Sequence, residues 1–144
     1  MSESHHIVCP HCSSTNSIPA GRIADKPKCG NCKKMLFNAG PMILTEYNFQ
    51  KHLSRNSIPV VVDFWAGWCG PCKMMAPVFQ QAAARLEPHV RLAKVNTETE
   101  QGLAAQFNIR SIPTIIILKG GKEIARQSGA MDLLTLLDWI RANI

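Results

Sequence analysis

Apolar residues in segment 42–144 fall into short runs that predict β-strands. The run 58–65 is almost continuously apolar and β-branched, as in a strand that is covered on both faces. Residues 112–118 form a second run of this kind, and Gly120-Gly121 predicts a hairpin turn to a partner strand. The predicted strands are 42–44, 58–65, 90–96, 112–118 and 123–128.

Between these runs, apolar residues recur at the spacing of amphipathic helices. The predicted helices are 45–55, 71–86, 97–107 and 132–143. Thr45 is a candidate N-cap for the first, and Thr97-Glu-Thr-Glu100 has the pattern of a capping box for the third. Pro77 lies inside the second and predicts a kink. Strands and helices alternate, so the predicted fold class is α/β, with a central mixed sheet and helices on both faces.

The N-terminal module, residues 1–40, has a different composition, with few large apolar residues and many Ser, Asn, Pro, Gly and Lys. Such a segment buries too little apolar surface to fold without an additional staple. The turn-forming sequence Asn38-Ala-Gly-Pro41 marks its end. We therefore predict two domains, 1–40 and 41–144. His5 and His6 are predicted to lie in a disordered tail.

Four cysteines of this module form two Cys-x2-Cys pairs, Cys9–Cys12 and Cys29–Cys32, separated by sixteen residues. Two such knuckles predict one structural Zn²⁺ held by four thiolates in a closed tetrahedral site. His11 lies inside the first pair and is an alternative ligand. Two disulfides are the alternative to a metal, and they are disfavoured in a reducing compartment.

The formal net charge of +6 raises the question of a nucleic-acid partner. Residues 1–40 and 41–144 carry +3 each, and zinc bound by four thiolates would reduce the first value to about +1. The remaining basicity is mild and dispersed, so no nucleic-acid binding is expected.

The first residues, Met1 to His6, show neither a basic n-region nor an apolar h-region, and no apolar run reaches membrane-spanning length. We expect a cytoplasmic protein without a membrane partner. In that compartment, paired cysteines are typical of metal and redox sites.

A third pair, Cys69-Gly-Pro-Cys72, directly follows a predicted buried strand and opens a predicted helix. The N-terminus of a helix offers free N–H groups and partial positive charge, which favour a thiolate. The spacing predicts Cys69 as an exposed attacking nucleophile and Cys72 as the resolving thiol. The alternatives are half of another metal site or two inert core cysteines.

The segment Trp65-Ala-Gly-Trp-Cys-Gly-Pro-Cys-Lys73, with Asp63 before it and Ser111-Ile-Pro-Thr114 after it, resembles the thioredoxin family. The resemblance covers about residues 41–144 and implies a thioredoxin-like fold. The four N-terminal cysteines match the members of this family that carry a zinc-binding extension. Gly67 departs from the residues that are frequent in the family, and we expect it to change loop stiffness without stopping the reaction.

The resemblance also implies roles for individual residues. Asp63, whose burial should raise its pKa, would be the acid beneath the redox pair that exchanges protons with Cys72. Lys94 would face this acid, and Pro113 would be cis and leave the backbone before it free to pair with a substrate. On the residues alone, the alternatives are a structural Asp, an ordinary strand lysine and a trans proline. The residues implied to dock substrate around the nucleophile are Trp68, Gly70, Pro71, Ile112, Gly129 and Ala130.

The function implied is reduction of protein disulfides by a monomeric thiol–disulfide oxidoreductase. Its dithiol would be restored by thioredoxin reductase with NADPH, and the chain itself would hold no organic cofactor. A rival hypothesis is a zinc-ribbon binding protein with a redox-inactive thioredoxin fold. A second rival, an oxidase or isomerase, would need a more oxidising pair and an export signal.

Overall fold

A five-stranded mixed sheet lies at the centre of the computed structural model, which describes residues 3–144. Its strands follow the order β3-β5-β4-β6-β7 across the sheet. β3 and β4 run parallel to β5, whereas β6 runs antiparallel to both β4 and β7. The strands are β3 (Met42–Ile43), β4 (Val60–Trp65), β5 (Arg91–Asn96), β6 (Thr114–Lys119) and β7 (Lys122–Ser128). The predicted α/β class is confirmed.

Four helices cover the two faces of this sheet. They are α1 (Phe49–Arg55), α2 (Gly70–Leu86), α3 (Gln101–Gln106) and α4 (Leu133–Ala142). α2 and α4 pack on one face, where Phe79 and Ile140 meet Val61, while α1 and α3 pack on the other. Neighbouring residues of β4 and β6 belong to opposite faces, and both faces are buried. This double burial explains why the two runs are almost continuously apolar.

Two predicted helix starts are wrong, and in each the threonine hydroxyl bonds elsewhere. Thr45 does not cap α1, because its hydroxyl accepts hydrogen bonds from the N–H groups of Tyr47 and Asn48 in a turn before the helix. The Thr97 hydroxyl instead donates to the carbonyl oxygen of Trp65 at 3.0 Å, and α3 begins later. The first bond is local and forms a turn, whereas the second is a long-range bond that ties Thr97 to the end of β4.

The N-terminal module contains an antiparallel hairpin of β1 (Ser4–Val8) and β2 (Thr15–Pro19), followed by a short 3₁₀ turn. His5 and His6 lie in β1, paired with Ile18 and Ser17, so the prediction of a disordered tail is wrong. The hydrophobicity of this segment is too low to have indicated a strand.

A buried arginine of the sheet, Arg91, holds the N-terminal module against the rest of the chain. It is 1% exposed, and its guanidinium donates to the carbonyl oxygens of Leu36 at 2.8 Å and Val8 at 3.4 Å. The same group lies 4.4 Å from the centre of the Phe37 ring and 3.7 Å from the Glu87 carboxylate. Burial lowers the pKa of Arg91 to about 10, so the group remains charged at neutral pH.

Further contacts extend this interface. The side-chain oxygen of Asn56 accepts from the Val8 N–H at 2.8 Å, and the Ser57 N–H donates to the His6 carbonyl oxygen at 2.9 Å. Ile58 belongs to the hydrophobic cluster of the module and packs with Ile7 and other residues there. The two predicted domains therefore share a buried interface, which the sequence did not indicate.

We expect Arg91→Ala to lower the free energy of unfolding by about 3 kcal/mol, because it strands a buried carboxylate and two carbonyl groups. Urea unfolding followed by circular dichroism measures the change. The control is Arg126→Ala, which breaks a half-exposed pair with Glu123 and should cost less than about 1 kcal/mol. Combining Arg91→Met with Glu87→Gln should recover part of the loss. An equal effect of both alanine variants would contradict the anchoring role of Arg91.

Candidate active site and metal centre

The Cys69–Cys72 motif joins the end of β4 to the start of α2. Cys69 is the N-cap of α2, and its Sγ accepts a hydrogen bond from the backbone N–H of Cys72 at 3.1 Å. Pro71 occupies the first turn, where a residue without an N–H costs nothing. The predicted order of strand, motif and helix is confirmed. This position directs the positive end of the helix at the sulfur of Cys69.

Cys69 and Cys72 form a disulfide, with their Cα atoms 5.2 Å apart. The prediction that Cys69 is exposed is wrong: it is 3% exposed, and Cys72 is 4% exposed. Trp65 and Ile112 pack against the pair, and the carbonyl oxygen of Ile112 lies 3.7 Å from the Cys69 sulfur. Because this carbonyl belongs to the loop before β6, that loop forms one wall of the site.

The residues expected to dock substrate surround the pair at the surface. Trp68 is 70% exposed, and Ile112 is half-buried beside it. These two side chains line a groove of about 200 Å³ that continues to Thr97 and Arg110. We call Trp68, Ile112 and the four others that are expected to dock substrate the rim. The four others are all exposed, namely Gly70, Pro71, Gly129 and Ala130. Gly70 and Pro71 separate the two cysteines in the chain, Ile112 packs against the pair, and Gly129 bonds to Pro113.

Pro113 forms the inner edge of this rim. It is buried, and the Ile112–Pro113 peptide bond is cis, as the resemblance implied. Its carbonyl oxygen accepts from the Gly129 N–H at 2.8 Å, which ties the end of β7 to the rim. Gly129 has φ +97°, a conformation that favours glycine at this point.

Asp63 lies in the middle of β4 and is completely buried. Within residues 3–144, neither oxygen of its carboxylate has a hydrogen-bond partner. Burial raises the pKa of Asp63 from 3.8 to about 7, and the positive charge of Lys94 opposes this rise. A carboxyl group with this pKa exchanges protons readily near neutral pH.

Lys94 is the register partner of Asp63 on β5. Its Nζ lies 4.8 Å from the centre of the Trp65 ring, and in the described part of the chain it forms no ion pair within 4.0 Å of Asp63. The lysine therefore acts on the acid as a nearby charge and packs its ammonium group on an aromatic face.

The four N-terminal cysteines converge at one point, with all their sulfur atoms within 4.8 Å of one another. The sulfurs of Cys9 and Cys32 are 3.6 Å apart, as are those of Cys12 and Cys29. A tetrahedral Zn²⁺ with Zn–S bonds of about 2.3 Å requires sulfur separations of roughly 3.8 Å. The cysteines therefore fit a structural metal, and His11 is not a member of the group.

The two knuckles have the same local geometry. The N–H groups of His11 and Asn31 donate to the sulfurs of Cys9 and Cys29, each at 3.3 Å. Ser13 and Lys33 have φ +63° and +67°, and each donates its N–H to the carbonyl oxygen of the first cysteine. Burial raises the pKa of the Cys9 thiol to about 12, so a thiolate there needs a nearby cation.

Sequence reasoning missed several polar side chains at both sites. The amide groups of Asn16 and Asn31 donate to the sulfurs of Cys29 and Cys12, at 3.5 and 3.6 Å. Near the redox pair, Thr97 and Glu98 bond to the backbone of residues 65–67. Asn16 lies in β2 and Asn31 in the turn of the second cysteine pair, and neither carries a sequence signal. The sequence at Thr97 does carry a signal, since it predicts a capping box, but its hydroxyl bonds to Trp65 instead.

Comparisons with known proteins agree over nearly the whole chain. The Thioredoxin family model matches residues 40–142, and the model "Thioredoxin 2, N-terminal" matches residues 8–34. Thioredoxin C-3 of Corynebacterium nephridii is 45% identical over 93% of this chain and 92% of its own. Thioredoxin 1 of a Nostoc species and thioredoxin of Haemophilus influenzae are 43% and 39% identical, each over 70% of this chain and 94% of its own.

Among residues 3–144, none of the helices has the length and hydrophobicity that are needed to cross a bilayer.

The raised pKa of Asp63 predicts a pH-dependent stability. The folded protein keeps a proton that the unfolded chain releases, so stability falls as the pH rises from about 4 to 7. Asp63→Asn stays neutral and should therefore be more stable than the wild type at pH 8, by on the order of 4 kcal/mol, with little advantage at pH 4.

Urea unfolding of the oxidised proteins at both pH values measures this difference. Asp138→Asn, which replaces an exposed carboxylate on α4, is the control and should change little. A constant difference between Asp63→Asn and wild type from pH 4 to 8 would contradict the assignment.

Proposed function

We propose, on the premise that this chain belongs to the thioredoxin family and is a disulfide oxidoreductase, that it reduces protein disulfides through Cys69 and Cys72. One observation carries the proposal. The Cys69 sulfur lies at the N-cap of α2, accepts the Cys72 N–H at 3.1 Å and is bonded to the Cys72 sulfur. This arrangement stabilises a thiolate on one cysteine and holds the second within reach of it.

In the reduced protein, the Cys69 thiolate attacks one sulfur of the substrate disulfide. That bond breaks, a mixed disulfide forms, and the released substrate sulfur leaves as a thiolate that takes up a proton. The Cys72 thiol then loses its proton and attacks the Cys69 sulfur, which releases the second substrate thiolate. Two electrons have then moved from the Cys69–Cys72 dithiol to the substrate.

Asp63 is proposed to accept the proton of Cys72 during the second step. Its buried position and pKa of about 7 support this role, because such a carboxylate is a competent base at neutral pH. Lys94 limits how far the pKa rises, and it is proposed as the residue that tunes the acid.

The rim is proposed to hold the substrate chain beside Cys69. Trp68 offers an exposed aromatic surface, and the backbone of Ile112 before Pro113 offers hydrogen-bonding groups to an extended peptide. Gly70, Pro71, Gly129 and Ala130 leave room for the substrate backbone. A surface of this kind recognises peptide shape more than sequence, which suits a reductase of many proteins.

The oxidised pair is proposed to be reduced again by thioredoxin reductase with NADPH, and the chain is proposed to act as a monomer. A reducing compartment, the cytoplasm, suits both this reaction and cysteines that bind zinc as thiolates. The rival function, a zinc-ribbon binding protein with an inactive redox domain, has no observation in its favour, because both redox cysteines are in reacting geometry.

The N-terminal module is proposed to bind one structural Zn²⁺ through Cys9, Cys12, Cys29 and Cys32. Four sulfurs within 4.8 Å and N–H donors to two of them support this assignment. The metal would fix the two knuckles and leave no open coordination position.

The two redox cysteines should respond differently to replacement by serine. Cys69→Ser should abolish the reduction of insulin in a coupled assay of NADPH consumption with thioredoxin reductase. Cys72→Ser should attack but not resolve, and should accumulate a covalent complex with the substrate on non-reducing gels.

The wild type is the positive control, and Cys9→Ser is the control for loss of a cysteine elsewhere. Full turnover by Cys72→Ser, or none by the wild type, would exclude the proposed function.

Zinc loss should disorder the N-terminal module but leave the redox chemistry in place. Metal analysis should find one zinc per chain in the wild type and none after all four cysteines are changed to serine. Because structural zinc contributes on the order of 10 kcal/mol to such modules, the hairpin amides of β1 and β2 should lose their protection from hydrogen exchange. Insulin reduction should persist. Its complete loss in a variant whose sheet remains folded would mean that the metal site takes part in the reaction.

A further inference from the structure

The turn that carries Trp68 and Cys69 has few internal hydrogen bonds. It spans residues 66–69 between β4 and α2, and the Cys69 N–H closes it on the carbonyl oxygen of Ala66 at 3.3 Å. Gly67 lies in the middle of the turn and is exposed. Since glycine has the greatest backbone freedom, this turn needs an external contact to keep one conformation.

Two consecutive residues after β5 supply that contact. The Thr97 N–H and hydroxyl both donate to the carbonyl oxygen of Trp65, at 2.8 and 3.0 Å. The Glu98 carboxylate accepts the N–H of Gly67 at 3.0 Å. We name this pair of residues the Thr97–Glu98 clamp. It grips the backbone on both sides of Ala66, just before the exposed Trp68 and the nucleophile.

We propose that Glu98 is a positioning residue for disulfide reduction, which orders the turn of residues 66–69 through the Gly67 N–H so that Trp68 is ready to dock substrate. The proposal rests on the proposed function of Cys69 and Cys72. Glu98 does not touch the sulfurs in this scheme. It reduces the conformational entropy that the rim would otherwise lose when a protein substrate binds.

The Glu98 loop has its own supports. The Glu98 N–H donates to the side-chain oxygen of Asn96 at 2.9 Å, and the Gln101 side chain donates to the Glu98 carbonyl oxygen at 3.2 Å. The carboxylate is therefore presented from a fixed backbone in the loop that follows β5. A charged acceptor also forms a stronger hydrogen bond to an N–H than a neutral one does.

Glu100 offers a matched control in the same loop. Its carboxylate also accepts a backbone N–H, that of Glu46 at 2.9 Å. This contact supports the segment before α1 and does not involve the turn of residues 66–69. Replacing Glu98 or Glu100 removes the same charge and the same type of bond. Only the first replacement frees the turn.

The kinetic test compares Glu98→Ala, Glu98→Gln and Glu100→Ala with insulin and with a small aromatic disulfide. Glu98→Ala should raise the KM for insulin by roughly threefold to tenfold, the net worth of one hydrogen bond, with kcat nearly unchanged. Glu98→Gln keeps an oxygen acceptor, so its KM should stay close to the wild-type value. The small disulfide, which has no need of the rim, should react at the wild-type rate. Glu100→Ala should behave as the wild type throughout.

A double variant tests the cause. A Cβ added at Gly67 meets only the Glu98 Oε1 atom, at 3.6 Å, and φ there lies outside the left-handed region, so Gly67→Ala is sterically allowed. Alanine restricts the backbone. Gly67→Ala should therefore reverse part of the increase in KM that Glu98→Ala causes. No recovery, together with an equal loss in Glu100→Ala, would show that Glu98 acts only through its charge.

A measurement without turnover separates this proposal from the function on which it rests. In ¹⁵N relaxation experiments, the amides of Gly67 and Trp68 should have rigid order parameters in the wild type and reduced ones in Glu98→Ala, but not in Glu100→Ala. Wild-type protein that fails to reduce insulin would overturn the proposed function. In that case the order parameters would still show whether Glu98 orders the turn of residues 66–69. Unchanged order parameters and unchanged KM in Glu98→Ala would overturn the positioning role.

Discussion

The pairing of β4 between β5 and β6 is the constraint on which the rest of the structure depends. This register puts Asp63 opposite Lys94 on one side and Ile115 on the other. It also brings the end of β4 beside the loops that follow β5 and precede β6. The turn of residues 66–69 leaves the sheet at this end of β4. A shift of one residue would invert every side chain of β4 and remove both the acid and the turn from their partners.

The electrostatics after the carboxyl end of β4 and in the middle of the strand have opposite effects on negative charge. At the carboxyl end, the helix terminus supplies N–H groups that favour negative charge on sulfur. In the middle of the strand, apolar packing disfavours charge on Asp63 and raises its pKa to about 7. The same strand and the turn after it thus carry a sulfur at a helix terminus and a carboxyl group that holds its proton unusually well. The proposed proton transfer runs from Cys72 to Asp63, whose pKa of about 7 makes its carboxylate an effective base near neutral pH.

Most of the sheet could be predicted because its strands have strong, simple patterns. The runs that became β4 and β6 are apolar on both faces, and Asp132 caps α4 where the sequence placed a helix start. Family resemblance located the rim, including the cis bond before Pro113. Neither the patterns nor the resemblance could indicate long-range contacts made by residues that have no local sequence signal. Arg91 looks like any strand arginine, and nothing in its neighbours shows that Leu36 needs a donor 55 residues away.

The burial of Arg91 also bears on how such a two-part chain can change over evolutionary time. A thioredoxin domain that gained an N-terminal module could accept the new surface first and place an arginine under it later. Once that arginine is enclosed under Phe37, deletion of residues 1–40 would expose the apolar surface of Ile58 and leave Glu87 beside a newly solvated cation. Loss of the module then lowers the stability of the sheet unless substitutions there compensate for it. The N-terminal addition is thus easier to acquire than to discard.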